Sequence, residues 1–332
     1  MPRLRRARVD GPGWTRRRAG RGFFYLDAHG ERITDEDDLD RIASLAIPPA
    51  WRDVWISPHA NAHIQATGMD DAGRRQYLYH AQWRLRRDRL KHDKVLQVAR
   101  SLPAARRRVR KDLDLDGMPR EKVLALAFRL LDLAYFRAGG EGYAAKNGSY
   151  GLATLQKEHV RILRPETPDG EGRVHFHYPA KSGQVRDVVI EDDEVATLLR
   201  RLVRRRDDAG DLLAWQDDGD TWHDVTSADV VAYVKDRLGS DASPKDFRTW
   251  HATVLAARAL ADAGPPPRSE RARRKVVTEV VRDVSGELGN TPAVCRASYI
   301  DPRVIDLWER GHTIRPTRSR LVAEKETLAL LA

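Results

Sequence analysis

The chain has 332 residues, 33% of them charged, and a net charge of +10 that is mostly arginine. That length suits two domains or one large one, and no apolar run reaches the ~18 residues of a membrane span. The basic N-terminus lacks the apolar stretch of a secretory signal, and the single cysteine, Cys295, excludes a disulfide framework or a cysteine-rich metal site and points to a reducing, cytoplasmic setting.

Residues 1–20 hold seven arginines among Gly and Pro and read as a mobile basic arm. From Gly22 to Tyr79 the texture is short strands and turns. Phe23–Leu26 is β-prone and ends in an Asp27–Gly30 turn. Ile47-Pro48-Pro49-Ala50-Trp51 is extended, because residues before proline avoid the helical region. Val54–Ser57 is a further strand, and Ile64–Thr67 and Gln76–Tyr79 flank a turn at Asp70–Gly73, predicting a hairpin. Helix begins after His80, with Gln82–Leu102 carrying Trp83, Leu85, Leu90, Val95 and Val98. Pro119 opens a second helix through Leu131. The domains are therefore a basic arm (1–20), a β-rich N-terminal domain (21–88) and a larger, mostly helical domain (89–332).

Within the second domain, Val174, Phe176 and Tyr178 alternate with His175 and His177, and a turn at Lys181–Gly183 leads into a strand over Val185–Ile190. Ser243-Pro244 with Asp246 marks a helix start, Leu288-Gly289 a helix end, and Thr291-Pro292 and Asp301-Pro302 two further starts. Gly264-Pro265-Pro266-Pro267 reads as a linker.

Several motifs fail. Ala180-Lys181-Ser182-Gly183 lacks the glycines of a phosphate loop. Asp112–Gly117 imitates a calcium loop, but the twelfth position is Val123. His59 and His63 have no Glu after His59, as a zinc protease requires. His175 and His177 share a strand face, but the sequence offers no evident third ligand, so we expect no metal and no cofactor.

A strongly basic chain of this kind has the footprint of a polyanion binder. Phosphodiester transfer without a metal needs a side-chain nucleophile, cations for the transition state and a proton donor for the departing oxygen. Three segments supply such groups: residues 135–155, with Arg137 and Tyr143; residues 245–253, opening Lys245-Asp246-Phe247-Arg248-Thr249; and residues 288–302, opening Leu288-Gly289-Asn290-Thr291-Pro292 and containing Ser298-Tyr299.

In that order and spacing these segments resemble the type IB DNA topoisomerases, in particular their compact poxvirus-like and bacterial branch. Ile47–Trp51, Gln65-Ala66-Thr67-Gly68 and Gly73-Arg74-Arg75-Gln76-Tyr77 resemble that branch's N-terminal domain, and the likeness runs from Gly11 to Gly311. The resemblance implies an α+β fold: a small β-rich domain, then a larger, mostly α-helical catalytic domain with a small antiparallel sheet, together forming a C-shaped clamp. It implies a monomer acting on double-stranded DNA in the cytoplasm. One strand is nicked through a 3′-phosphotyrosyl link, the free end swivels, and the nick reseals without ATP or metal, relaxing supercoils of both signs.

By this resemblance Tyr299 is the nucleophile, Arg137 and Arg248 hold the non-bridging oxygens, and Lys181 is the general acid. Asn290 stands where poxviral and eukaryotic members carry His; an amide donates a hydrogen bond but cannot become cationic. Lys245 is a basic residue near the site. Arg74, Arg75, Gln76, Tyr77 and Tyr79, with Tyr143, are the DNA contacts. Read without the resemblance, Lys181 is a polar hairpin tip, Tyr299 a packed helix residue, and the run Arg106 to Arg110 a solvated or phosphate-facing surface. A tyrosine recombinase uses the same chemistry, although it typically carries His where this chain has Lys245. A DNA-binding relative without activity would share the composition.

Overall fold

A computed structural model describes residues 3–167, 170–207 and 210–332, and leaves aside the side chains of Tyr143, Ala145 and Ser182. The chain divides into two compact units, 1–91 and 92–332, three residues beyond the expected boundary.

In the first unit, β1 (Trp14–Ala19), β2 (Gly22–Leu26), β3 (Arg52–Ile56), β4 (Ile64–Met69) and β5 (Arg75–Tyr79) form an antiparallel sheet in the order β2-β1-β3-β4-β5. Helix α1 (Glu36–Ser44) lies between β2 and β3 in sequence. One face of the sheet covers a small core of Trp14, Ile42, Val54, Ile56 and Ala66, with Trp51 and Leu78 packed against it. The hairpin expected after Ile64 is present, pairing Thr67 with Tyr77 and Gly68 with Gln76.

Two readings of this region are corrected. Residues 14–19, expected within a mobile arm, are a sheet strand: Trp14 is buried, and the Arg16 guanidinium donates to the carbonyls of Ile47 (3.2 Å), Pro48 (3.0 Å) and Trp51 (2.6 Å). Its charge also sits 4.1 Å from the Phe23 ring centroid. The stretch read as strands and turns alone contains α1, capped by Asp35, whose carboxylate accepts from the Asp38 amide at 3.0 Å. Three acids in its first turn complement the helix dipole.

Helix α2 (Ala81–Leu113) continues past Pro103, beyond the expected end at Leu102. Ala105, Val109 and Leu113 keep its apolar stripe buried, and this packing outweighs the hydrogen bond that proline removes. In the second unit follow α3 (Arg120–Ala134) and α4 (Glu141–Asn147). A three-stranded antiparallel sheet comes next: β6 (Val160–Leu163), β7 (Arg173–Pro179) and β8 (Val185–Glu191). Then come α5 (Asp193–Arg204), the small ribbon β9 (Ala214–Gln216) and β10 (Trp222–Asp224), and α6 (Ser227–Leu238). The chain continues with α7 (Pro244–Asp262), α8 (Glu270–Leu288), α9 (Pro292–Ser298), α10 (Pro302–Glu309) and α11 (Arg320–Leu330). The expected starts at Ser243, Thr291 and Asp301 and the stop at Gly289 are all caps. Val174 and Phe176 on β7 join the core against Phe136, leaving His175 and His177 on the outer face.

The reading of Arg106 as a surface residue is also corrected. It donates to both oxygens of buried Asp132 (2.7 and 2.9 Å) and to both of Glu324 (2.7 and 2.9 Å). Arg320 and His251 bond the same Asp132 oxygen at 2.7 and 2.9 Å. Five charged or titratable groups from α2, α3, α7 and α11 thus form one buried network.

Candidate active site

Helices α3 and α8 end in left-handed residues, Tyr135 and Gly289. Their last carbonyls therefore point to one place, and a helix C-terminus carries partial negative charge. Arg248, on the second turn of α7 and buried, is aimed there. Its guanidinium donates to the Tyr135 carbonyl, to the Leu288 carbonyl at 2.8 Å and to Asn290 Oδ1 at 3.1 Å.

Arg137 lies in the loop between α3 and α4. It donates to the Gly289 carbonyl at 3.2 Å and to the same Asn290 Oδ1 at 2.6 Å. The loop is held by close backbone packing: the Leu152 amide donates to the Arg137 carbonyl at 2.8 Å, and Gly151 lies directly against Gly139. A Cβ on Gly151 would sit 2.5 Å from the Gly139 Cα and 2.9 Å from the Arg137 carbonyl oxygen, so only glycine fits.

Short α9 carries Asn290 just before its start and Tyr299 at its end. Thr291 caps it, Pro292 takes its first turn, and the Tyr299 amide closes it on the Cys295 carbonyl at 3.0 Å. Tyr299 is half-buried. The Arg248 guanidinium carbon lies 5.1 Å from its ring centroid, and Lys245 Nζ, from the exposed side of α7, lies at 5.9 Å.

Among the described residues no carboxylate forms an ion pair with Arg137 or Arg248. Burial, then repulsion from Arg137, pushes Arg248 down to about 10, still protonated at neutral pH. Burial alone would raise the Tyr299 phenol, but the charges of Arg248, Arg137 and Lys245 outweigh it and hold the group below its ordinary value. Arg248 Nε and Asn290 Nδ2 are buried donors without a protein acceptor. Carbonyl and amide oxygens thus satisfy part of this cationic cluster, while its net charge and two of its donors remain open to an anion.

The structure therefore brings together Arg137, Arg248, Asn290, Tyr299 and Lys245. Lys181 stands apart, exposed at the tip of the β7–β8 hairpin, its side chain making no hydrogen bond or ion pair among the described residues. That hairpin is tied to the segment after α4 that packs on the Arg137 loop, since the Tyr150 amide donates to the Pro179 carbonyl at 2.8 Å.

Two residues that sequence reasoning missed hold the cluster. Buried Arg186 on β8 donates to the Ala134 carbonyl at 3.2 Å, at the end of α3, and packs against Gly289. Thr253, the next turn after Thr249 on α7, donates through Oγ1 to the Thr249 carbonyl at 2.9 Å and accepts from the Asp301 amide at 3.0 Å, with the Tyr299 carbonyl 3.4 Å away, so it ties the backbone that follows Tyr299 to α7. Thr253 ends the segment singled out around Arg248, but no local pattern gives either residue a role.

In the first unit, Arg75, Tyr77 and Tyr79 share the exposed face of β5. The two tyrosine rings stack, 5.9 Å apart at 14°. Gln76 points to the opposite face and donates its amide to Asp70 at 2.9 Å, and Arg74 pairs with the same carboxylate. The strand alternation thus splits the expected contact set. The Tyr143 side chain lies outside what the structure describes.

Two family descriptions match the chain. "Bacterial DNA topoisomerase IB, N-terminal domain" matches residues 22–70, and "Eukaryotic DNA topoisomerase I, catalytic core" matches residues 80–314. The DNA topoisomerase 1B of Acanthamoeba polyphaga mimivirus is 27% identical over 293 residues, which cover 87% of this chain and 84% of that protein. The Arg137–Asn290–Arg248–Tyr299 cluster lies wholly inside the catalytic-core match, whereas β5 falls between the two matched ranges.

Proposed function

The chain belongs to the type IB DNA topoisomerase family, and on that premise we propose how its residues divide the reaction. Tyr299 gives its phenolic proton to solvent water, a loss that the neighbouring cations favour, and Oη attacks a backbone phosphorus of duplex DNA. The Oη–P bond forms as the bond to the 5′-oxygen breaks, leaving a 3′-phosphotyrosyl link. Arg137, Arg248 and the Asn290 amide take the non-bridging oxygens, whose charge grows in the transition state. Lys181, carried on its hairpin, gives a proton to the departing 5′-oxygen. The reverse sequence reseals the strand after the free end has swivelled. The phosphotyrosyl bond keeps the energy of the backbone bond, so no step needs ATP, and side-chain cations supply the charge stabilisation that a metal provides elsewhere.

The observation that carries this reading is the pair of half-buried and buried arginines that have no carboxylate partner among the described residues, one of them against the Tyr299 ring. Uncompensated buried charge is costly, and an arriving phosphate offsets it. We propose that one chain closes around the duplex, in the cytoplasm, with Arg75, Tyr77 and Tyr79 of β5 and Lys245 among its DNA contacts. No helix among the described residues is long and apolar enough to cross a membrane.

The test is covalent trapping. End-labelled duplex is mixed with protein in EDTA, quenched with SDS and digested, and the DNA-bearing peptide is sequenced. The adduct is expected on Tyr299, at the 3′ end of the nick. An adduct on another residue, or none, overturns the assignment.

A further inference from the structure

The outer face of β7 carries His175 and His177 two residues apart, so both imidazoles stand on the same side of the strand. From the sequence this pair had no third partner. The fold supplies one: Asp187 on β8 lies directly across from His177 in the antiparallel register. Its carboxylate spans both rings, with Oδ1 2.9 Å from His175 Nε2 and Oδ2 3.2 Å from His177 Nδ1.

The three ligand-capable atoms lie within 4.8 Å of one another. A tetrahedral zinc ion with ~2.0–2.1 Å bonds holds its ligand atoms about 3.3 Å apart, a spacing these partly exposed side chains reach by small rotations. Two imidazoles and one carboxylate suit zinc by ligand type, whereas magnesium prefers an all-oxygen shell. A hollow of about 250 Å³, lined by both histidines with Glu158, His159 and Arg161, adjoins the pair. It leaves room for water at the remaining coordination position.

We propose that His175, His177 and Asp187 form a zinc site that bridges β7 to β8. None of its three residues belongs to the phosphoryl-transfer cluster, and its existence does not depend on the role of Lys181. It has a structural consequence, however: His177 lies four residues before Lys181 and Asp187 six after it, so a bound ion staples the hairpin that carries that lysine.

Zinc binding is measured by competition with a chromophoric chelator, using full-length protein without a histidine tag. One equivalent is expected to bind at micromolar zinc. His175→Ala and His177→Ala each weaken binding at least about tenfold. A large excess of magnesium does not compete. In parallel, zinc is expected to slow amide exchange across residues 173–191 in the native protein but not in His177→Ala. Both substitutions are on the outer face of the sheet, and circular dichroism checks that the fold is kept. Absence of stoichiometric binding overturns the proposal, as does full binding by the His175→Ala/His177→Ala double variant. Phosphotyrosyl formation is assayed separately in EDTA, so failure here leaves the catalytic reading standing.

Discussion

Among the individual residues, Asn290 has the most distinctive place. Its Oδ1 accepts from Arg137 and Arg248 together, while its Nδ2 remains a buried donor without a protein partner. It therefore orients two cations and offers a hydrogen bond of its own. Asn290→Ala should lower single-turnover cleavage by about 10²-fold, the scale of losing one preorganised donor. Asn290→Asp should do worse, because a carboxylate between the arginines takes the charge meant for the phosphate. Equal rates for the two variants would contradict this account. That Tyr299, both arginines and Asn290 lie together was legible in the sequence, because the resemblance rests on short motifs that contain them. Thr253 and Arg186 were not. Their value comes from hydrogen bonds with backbone groups 48 and 52 residues away in sequence, which no local pattern encodes.

For the elements, boundaries were readable wherever a cap or turn residue has one conformational preference. Ser243, Gly289, Thr291 and Asp301 are of this kind, and together they place α7, α8, α9 and α10 around the site. The miss at β1 has the opposite cause. Arg16-Arg17-Arg18 looks like solvent-exposed charge until tertiary carbonyls and an aromatic ring engage Arg16. The Arg137 loop shows how an element-level constraint reaches the chemistry. Gly151→Ala drives a methyl into the Gly139 backbone and should cost about 2 kcal/mol of stability. It should also reduce cleavage by displacing Arg137. Gly142→Ala, in α4 with open space around its Cβ position, is the matched control and should be neutral or stabilising by a few tenths of a kcal/mol. Chemical denaturation with cleavage rates on both variants checks this, and equal behaviour would contradict it.

At the scale of the whole molecule, the β-rich first unit and the helical second unit were legible from hydrophobic periodicity and turn chemistry, and the α+β class with its small antiparallel sheet from the family resemblance. The buried network around Asp132 was not, because Arg106 reads as one more surface arginine. Burial alone would raise the Asp132 carboxyl, but Arg320, His251 and Arg106 outweigh it and hold it well below the usual carboxylate range. In the unfolded chain this group takes up its proton near pH ~4, and in the folded chain only at lower pH. The unfolded state therefore binds more protons across that window, and stability falls as pH drops below ~4. His251, held low by burial, adds a loss of the same sign that begins below pH ~6.5. Asp132→Asn should cost about 3 kcal/mol at neutral pH and flatten the acid limb in urea unfolding, whereas a parallel pH profile would contradict the network's role. The central claim is that Tyr299, with the arginines gathered around it, cuts and reseals DNA using only its own side chains. Relaxation of supercoiled plasmid in EDTA without ATP, by the native protein and by Tyr299→Phe, tests it most directly. The account predicts a full topoisomer ladder from the native protein and none from the variant, with DNA binding retained. Relaxation by Tyr299→Phe, or a native protein that needs ATP or a divalent ion, would contradict it.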